Sequence, residues 1–340
     1  MSGTTGYGDP IVPLHTPHVV FETAVRLGAP REALLHGTGF TEASFADPAA
    51  RISYEQYGAL IENGIRLTDE PMLGVLVGLN LSGVQLGVVG FALMTSITIR
   101  QALDIWIEHV RGVSPAWDPV LVRHGERMLL TLRERIPRGA HRVFATEVMM
   151  AALHTQGLAL LGPDLPVREI RVAFPRPAHA GRYAQFCRFP IRYDHAVTEV
   201  ELDAAMLDVP IEFADPATQK LATRLCEIEC PVDDLATRIR TLIQCCISEP
   251  PNVQDIARSL SATPDEIRRV LNESNTSLRR ILEESRTQRA RELARSTQLP
   301  VGEMAKRLGF RSVRSFRRAF KRWTGTSPDA LRRQAPHETT

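Results

Sequence analysis

The chain has 340 residues, which exceeds one typical domain and suits two. Hydrophobic residues at 44% and charged residues at 24% are ordinary for a soluble globular protein, and the five cysteines lack the spacing of a disulfide framework. The net charge of +2 conceals an asymmetry: from Ala236 to Thr340 there are 21 Lys and Arg against 11 Asp and Glu, whereas the preceding residues carry 20 against 28. A basic final third on an acidic body fits a polyanion-binding module joined to a module with other business.

Residues 1–15 are rich in Gly, Pro, Ser and Thr and are expected to be loose. They lack a basic stretch followed by an apolar core, so no signal peptide is expected. From His18 to Val113 helical patterns dominate. Tyr54, Tyr57, Leu60, Ile61 and Ile65 mark one amphipathic face, and Thr98 with Gln101 reads as a capping box opening a helix with Leu103, Trp106, Ile107 and Val110 inward. Met72 to Ile99 contains no charged residue and is long enough to span a bilayer. Its five glycines, its polar Asn80, Ser82 and Gln85, and the missing basic anchor favour two buried helices broken around Leu81 to Gly83.

After Pro115 the pattern turns to strands. Trp117–Val122 and Met128–Ile136 flank a turn at His124-Gly125-Glu126, and Arg142–Leu161 returns to helix before Gly162-Pro163. Val167–Phe174 alternates, and Pro190–Tyr193 with Thr198–Leu202 suggests a hairpin around Asp194-His195-Ala196. Residues 16–215 therefore read as an α+β domain, a helical portion followed by a small antiparallel sheet. Residues 216–231, carrying Leu221, Leu225 and Ile228, read as a linker helix region, and 232–335 as an all-α domain.

That all-α domain contains a pair of helix-turn-helix units. In the second, Val301, Met304, Ala305 and Leu308 run into Gly309-Phe310, and the next helix sets Phe316, Ala319 and Phe320 on one face and Arg314, Arg317, Arg318, Lys321 and Arg322 on the others. Such a helix can lie in a DNA major groove. In the first, Asn252 precedes Val253, Ile256, Ala257 and Leu260, and after Ser261-Ala262 the tetrad Thr263-Pro264-Asp265-Glu266 starts a helix that buries Ile267, Val270 and Leu271 and exposes Arg268 and Arg269. A long helix from Ser277 to Ser296 would hold the two units apart.

Gly309-Phe310, Phe316, Arg318, Phe320, Gly325, Ser327-Pro328 and Arg332, within a match over Leu235 to Arg333, resemble the AraC/XylS family of bacterial transcription regulators. The resemblance implies two helix-turn-helix subdomains joined by a linker helix, reading double-stranded operator or promoter DNA in major-groove segments ~34 Å apart. Arg314 stands where Ser is usual, Leu331 where an aromatic residue is usual and Pro300 where Ser often caps, and Asp265 and Glu266 place negative charge at the start of the first recognition helix. Gly87–Thr98, Phe189–Tyr193 and Leu207–Pro216 look more weakly like the sensor domain of members related to ornithine- and arginine-responsive regulators, not the jelly roll of the arabinose regulator. That likeness implies an unknown small-molecule effector and a homodimer; binding of the effector would change operator affinity or contact with RNA polymerase.

On the second recognition helix Arg314 and Arg318 lie one turn apart, and their forked guanidinium groups match guanine O6 and N7. Ser315 is assigned to a base or a phosphate and Val313 to a thymine methyl. Arg311, Arg317, Lys321 and Arg322 are assigned to phosphates. In the first unit Arg269 is the base reader and Arg268 the phosphate contact. The apolar Met72–Met94 segment and the Leu103/Trp106/Ile107 face could wall a cavity against the sheet, with Trp106, Arg133, Arg192 and Tyr193 as effector contacts.

No phosphate-cradling or dinucleotide Gly fingerprint and no zinc-type His-Glu-x-x-His is present, so no catalytic residue, metal or cofactor is expected. His15 and His18, Cys226 with Cys230, and Cys187 with His195 are the nearest approaches to a metal or thiol site. The thiols suit a reducing cytoplasm. Two other readings stay open: a front half that is a ligand-free dimerisation or docking module, and a regulator tethered to a membrane through Met72–Ile99.

Overall fold

The computed structural model describes residues 7–135, 139–163, 165–229, 234–260, 262–296 and 299–334. Residues 1–6 of the expected tail, Ile136, Ser261 and the expected boundary at Pro231 lie outside them. The chain divides into two compact units, Met1–Val232 and Asp233–Thr340.

The first unit opens with β1 (Val12–Pro13), α1 (His15–Arg26), α2 (Arg31–Leu35), β2 (Arg51–Ile52), α3 (Tyr54–Thr68), α4 (Leu73–Leu79), α5 (Gly87–Met94) and α6 (Ile99–Val113). Contrary to the loose tail expected, β1 pairs antiparallel with β2, Val12 facing Ile52, and Val12 and Leu14 are buried. Apolar Ile11, Val12 and Leu14 outweigh the Gly and Pro around them once they find a partner edge. Helix α3 begins with a reciprocal cap in which Gln56 N–H donates to Ser53 Oγ at 3.2 Å and Ser53 N–H donates to Gln56 Oε1 at 3.0 Å. At α6 the box is displaced: Thr98 caps Gln101 N–H at 3.4 Å, but Gln101 Oε1 accepts from Ile97 N–H at 2.7 Å.

The charge-free Met72–Ile99 stretch forms α4 and α5, neither long enough to cross a bilayer. Its glycines have a packing reason. A Cβ on Gly74 would stand 2.7 Å from Phe144 O, and one on Gly78 would stand 2.4 Å from Val148 O, so α4 crosses α7 (Arg142–Leu161) backbone to backbone. The helical segment Gly139–Leu161 is long and apolar enough to cross a membrane by those two measures alone. Its apolarity is used in this unit, where it packs on α4 and walls a cavity.

The remaining elements are β3 (Trp117–His124), β4 (Arg127–Glu134), β5 (Val167–Arg171), β6 (Ile191–Arg192), β7 (Thr198–Asp203) and α8 (Pro216–Glu229). The strands form one sheet in the order β3-β4-β7-β5-β6. The expected hairpin of β6 with β7 is not made: β7 runs antiparallel between β4 and β5, and β6 pairs parallel to β5 at the edge, Ile191 beside Ile170. Val200 faces both Leu130 and Ile170, and this central placement gives β7 two apolar neighbours where a hairpin would give it one. Met128, Leu130, Leu132, Val200 and Leu202 turn one face of the sheet toward Trp106 and Met149. The other face carries ion pairs, Arg171 donating to Glu169, Glu199 and Glu201. Helix α8, read as a linker helix, packs on α5 and α6 through fully buried Ala222 and Cys226, leaving Leu221, Leu225 and Ile228 exposed.

The second unit is helical: α9 (Leu235–Cys245), α10 (Val253–Ser259), α11 (Pro264–Glu273), α12 (Leu278–Ser296), α13 (Val301–Arg307), α14 (Val313–Thr324) and α15 (Pro328–Gln334). Helices α10 and α11 pack together, as do α13 and α14, while α12 packs against α9 on one side and α14 and α15 on the other. Thr263 and Glu266 make the reciprocal cap of α11, at 2.7 and 3.2 Å, whereas Pro300 before α13 supplies no side-chain cap.

Candidate nucleic-acid interface and effector cavity

The second helix-turn-helix is built on apolar contacts. Val301, Met304 and Ala305 of α13, with Leu308 just after it, share a core with Phe316 and Phe320 of α14 and with Ala290 and Leu293 of α12. Phe310 meets Phe316 edge-on at 5.4 Å and Trp323 at 5.8 Å, so the aromatic residues are core and leave no stacking platform for single strands. Gly309 sits at φ 72°, and a Cβ there would come within 2.3 Å of Ser248 O. Both constraints demand glycine at the turn.

With those aromatics inward, the opposite side of α14 must face outward. Arg311, Val313, Arg314, Arg317, Arg318, Lys321 and Arg322 are exposed and Ser315 is half-buried. Ser312 caps the helix, accepting from Ser315 N–H at 3.2 Å, and Ser315 Oγ donates back to Ser312 O at 2.8 Å. The Ser315 hydroxyl proton is thus spent locally, and its oxygen accepts from Ser312 Oγ at 3.0 Å, which leaves one lone pair for an outside donor. Arg311, Arg314, Arg318 and Lys321 make no ion pair among the described residues. Arg317 lies 3.8 Å from Asp329, and Arg322 pairs with Glu283 of α12. Glu283 also accepts from Trp323 Nε1 at 2.9 Å; the Trp323 and Arg322 bonds hold its carboxyl below the usual range. Arg322 is therefore partly neutralised by the protein itself.

The first helix-turn-helix differs. Arg268 pairs with Asp265 at 2.6 Å and Arg269 with Glu273 at 3.3 Å, both on α11 itself. The negative charge at the start of this helix thus pairs Arg268 through Asp265, while Glu273 at its other end pairs Arg269, so each arginine already has a carboxylate beside it.

In the first compact unit a cavity of ≈ 200 Å³ lies between the sheet, α6 and α7. Val75, Leu79, Leu93, Leu103 and Trp106 line it, together with Leu130, Ile170, Val200 and Leu202 of the sheet and Phe174, Phe186 and Phe189 of the segment after β5. Of the four expected effector contacts only Trp106 is there. Arg133 alternates to the other face of β4 from Leu130 and Leu132; Arg192 projects away from Ile191 and pairs with Glu169; Tyr193 packs on Phe174 at 6.2 Å and under Arg176 at 5.8 Å. The polar residues actually at the cavity are Thr146, Glu147, His154, Gln156, Tyr183 and Cys187. Glu147 is 5% exposed; its Oε1 accepts from His179 at 2.6 Å and from the Tyr183 hydroxyl, and its Oε2 has no partner among the described residues. Burial pushes the Glu147 carboxyl up against the opposing effect of those two bonds, and burial pushes the His154 imidazole down. The one acid in the largely apolar helix Arg142–Leu161 was the available signal for this site. Periodicity gave no help, because α7 is apolar on more than one face.

His15 and His18, the nearest histidine pair to a metal site, lie on α1. His18 stacks on Phe45 at 4.8 Å, and His15 is turned into a smaller cavity of ≈ 90 Å³ beside Tyr7, Tyr54 and Trp106.

Residues 28–211 match the family described as the arabinose-binding domain of AraC transcription regulator, N-terminal, and residues 256–334 match a helix-turn-helix domain family. The chain is 30% identical over 332 residues to an ornithine utilization regulator of Pseudomonas aeruginosa, covering 96% of this chain and 97% of that protein. It is 26% identical over 331 residues to an uncharacterised helix-turn-helix-type transcriptional regulator of Mycobacterium tuberculosis, covering 95% of this chain and 96% of that one. Solved structures similar to it include the transcriptional regulator CdpR from Pseudomonas aeruginosa, at 24% identity and TM-score 0.42 over 81% of this chain and 91% of that one. Another is the C-terminal domain of AraT, a response regulator from Geobacillus stearothermophilus, at 32% identity and TM-score 0.29 over 32% of this chain and 92% of that one. An N-terminal family match over more than half the chain, a helix-turn-helix match behind it and a full-length relative at 30% identity agree: the chain belongs to the AraC family of DNA-binding transcription regulators.

Proposed function

We propose that this regulator recognises its operator chiefly through α14, with Arg314 and Arg318 reading bases, Val313 and Ser315 contributing at the helix start, and Arg311, Arg317, Lys321 and Arg322 gripping phosphates. The observation that carries this reading is a pair of exposed arginines, one turn apart and without an ion pair among the described residues, on a helix whose other side is locked by Phe316 and Phe320. Helix α11, with Arg269 toward a base and Arg268 toward a phosphate, is the minor reader because both must leave a carboxylate first. The protein acts in the cytoplasm as a homodimer on double-stranded DNA, catalyses no reaction, and RNA polymerase is its second macromolecular partner. Functionally the sensor runs from residue 16 to about the end of α8, and the DNA-binding domain from about 232 to 335.

The front half senses a small molecule in the cavity between the sheet, α6 and α7. An effector that strengthens operator binding must by linkage bind tighter to the DNA complex. The Pseudomonas relative is named for ornithine utilization. Ornithine, with a carboxylate and two ammonium groups, matches these apolar walls poorly, so the two proteins are proposed to differ in effector. The alternative, a ligand-free docking module, predicts a full response of the operator complex in the absence of any metabolite. Selection of bound sequences from random duplexes, followed by titration of the Arg314→Ala/Arg318→Ala double variant on the selected site, tests the reading. Selection of a defined motif that the double variant no longer prefers is the expected result. Unselective binding by the parent protein would reject it.

A further inference from the structure

The effector cavity has a chemical bias that its family membership does not specify. Its volume, ≈ 200 Å³, is comparable to the ~150 Å³ engineered cavity that holds a benzene molecule, so it takes one ring or a short alkyl chain. Among the described residues no Lys or Arg lines it: Arg171 of β5 and Arg192 of β6 are engaged with Glu169, Glu199 and Glu201 on the far face of the sheet, and Arg168 pairs with Asp203. A carboxylate placed inside would lose its water and find no cation. The opposite charge does have a counterpart. Glu147 lies on the wall, only 5% exposed, with Oε1 occupied by His179 and Tyr183 and Oε2, beside Gly74 of α4, without a partner among the described residues. A buried carboxylate oxygen without a donor is costly unless something supplies one. Thr146, Gln156 and Cys187 make no such demand, since Thr146 Oγ1 donates to Arg142 O, Gln156 Nε2 to Leu81 O and Cys187 Sγ to Phe189 O, and His154 is only half-buried.

We propose that the cavity binds a small apolar amine, its ring or chain packed among Leu103, Trp106, Ile170 and Phe186 and its ammonium group donating to Glu147 Oε2. The assignment rests on the effector-sensing reading of the front half and narrows it to one ligand chemistry: a single cationic head on a hydrocarbon body, excluding fatty acids, aromatic acids and amino-acid zwitterions.

The test uses matched probes on the full-length protein at neutral pH. 2-Phenylethylamine and n-hexylamine are compared with 3-phenylpropionate, hexanoate and phenylalanine by thermal melting and calorimetry. The amines should raise the melting temperature and the acids and the zwitterion should not. Glu147→Gln, which keeps an acceptor oxygen toward Tyr183, should fold and should weaken amine binding at least tenfold. Leu103→Trp, at a half-buried wall position away from the tight α4–α7 crossing, fills the cavity and should abolish binding of every probe. Equal or tighter binding of the carboxylates, or amine binding that survives Glu147→Gln, overturns the amine assignment while leaving a ligand-binding front half in place. If no probe binds and a broad neutral-metabolite screen leaves melting unchanged, the sensing reading falls with it.

Discussion

Individual side chains of α14 carry distinguishable tasks. Arg318→Ala should cost about 1–3 kcal/mol at the operator and relax base preference at one position. Lys321→Ala should weaken specific and random DNA alike and make the salt dependence shallower by about one unit of slope, because a phosphate contact releases one counterion. Arg322→Ala should do less than Lys321→Ala, since Arg322 already shares Glu283 with Trp323. Competition titrations at three salt concentrations check all three; equal losses on specific and random DNA for Arg318→Ala would remove it as a reader. A second residue-scale prediction concerns His15. Burial first, and the Arg51 charge second, lower its pKa from 6.5 to about 4. The unfolded chain takes up the proton first, so this contribution is fully present above pH 6.5 and is lost as pH falls toward 4. Its size is on the order of 3 kcal/mol, from a shift of that width at 1.36 kcal/mol per unit. His15→Gln should flatten the decline of melting temperature over that window, and an unchanged slope would show that His15 does not titrate with unfolding.

At the scale of elements, α8 presents an apolar row that its own domain leaves uncovered. Leu221, Leu225 and Ile228 are 59%, 40% and 76% exposed, and with Thr218 they repeat at intervals of three, four and three residues, the seam of a two-stranded coiled coil. On that register Arg224 and Glu229 occupy the flanking positions that face each other across a parallel pair, so two copies of α8 are complementary in charge as well as apolar. If the proposed homodimer forms through this row, Leu225→Asp should raise its dissociation constant by more than tenfold, read by analytical ultracentrifugation, without disturbing the fold, since Ala222 and Cys226 hold the buried side. A dimer of undiminished affinity would place the interface elsewhere. The same helix shows what was legible in the sequence. Its apolar spacing was readable, but whether that row faced its own domain or a partner was not, because Ala222 and Cys226 form a second small-residue stripe that periodicity cannot rank. The helices of the DNA-binding domain were legible because caps such as Thr263/Glu266, the Gly309 turn and the Phe316/Phe320 face all agree locally. The sheet order was not. Which strand β7 joins depends on partners far away in sequence, and β6 is two residues long. The cavity's charge was misread for a related reason: Arg133 and Arg192 fall on strands whose one-residue alternation decides between cavity and surface, and composition favoured neither.

At the scale of the whole molecule, the chain joins two units with separate cores, and the division falls between α8 and α9. Ile239, Leu242, Ile256, Ile267 and Ile281 are buried within the second unit, as are Met304, Phe316 and Phe320, so a fragment from residue 234 has its own apolar interior. Fully buried Phe316 makes that interior sensitive: Phe316→Ala should cost the fragment about 3–5 kcal/mol, enough to unfold a small helical domain. The intact fragment should be helical by circular dichroism and should melt cooperatively. It should also bind the selected operator more weakly than full-length protein, because it carries one pair of readers and lacks the α8 seam that would bring a second pair to the same duplex. Linking two binding modules supplies effective concentration without new contacts, and a gain of 10²–10⁴ in apparent affinity is the usual scale. The decisive comparison is between the fragment and full-length Leu225→Asp. If α8 is the source of the avidity, the two should bind the operator with similar affinity, both well below the parent. A Leu225→Asp protein that still binds like the parent, beside a weak fragment, would mean that the front half strengthens binding by some route other than dimerisation through α8.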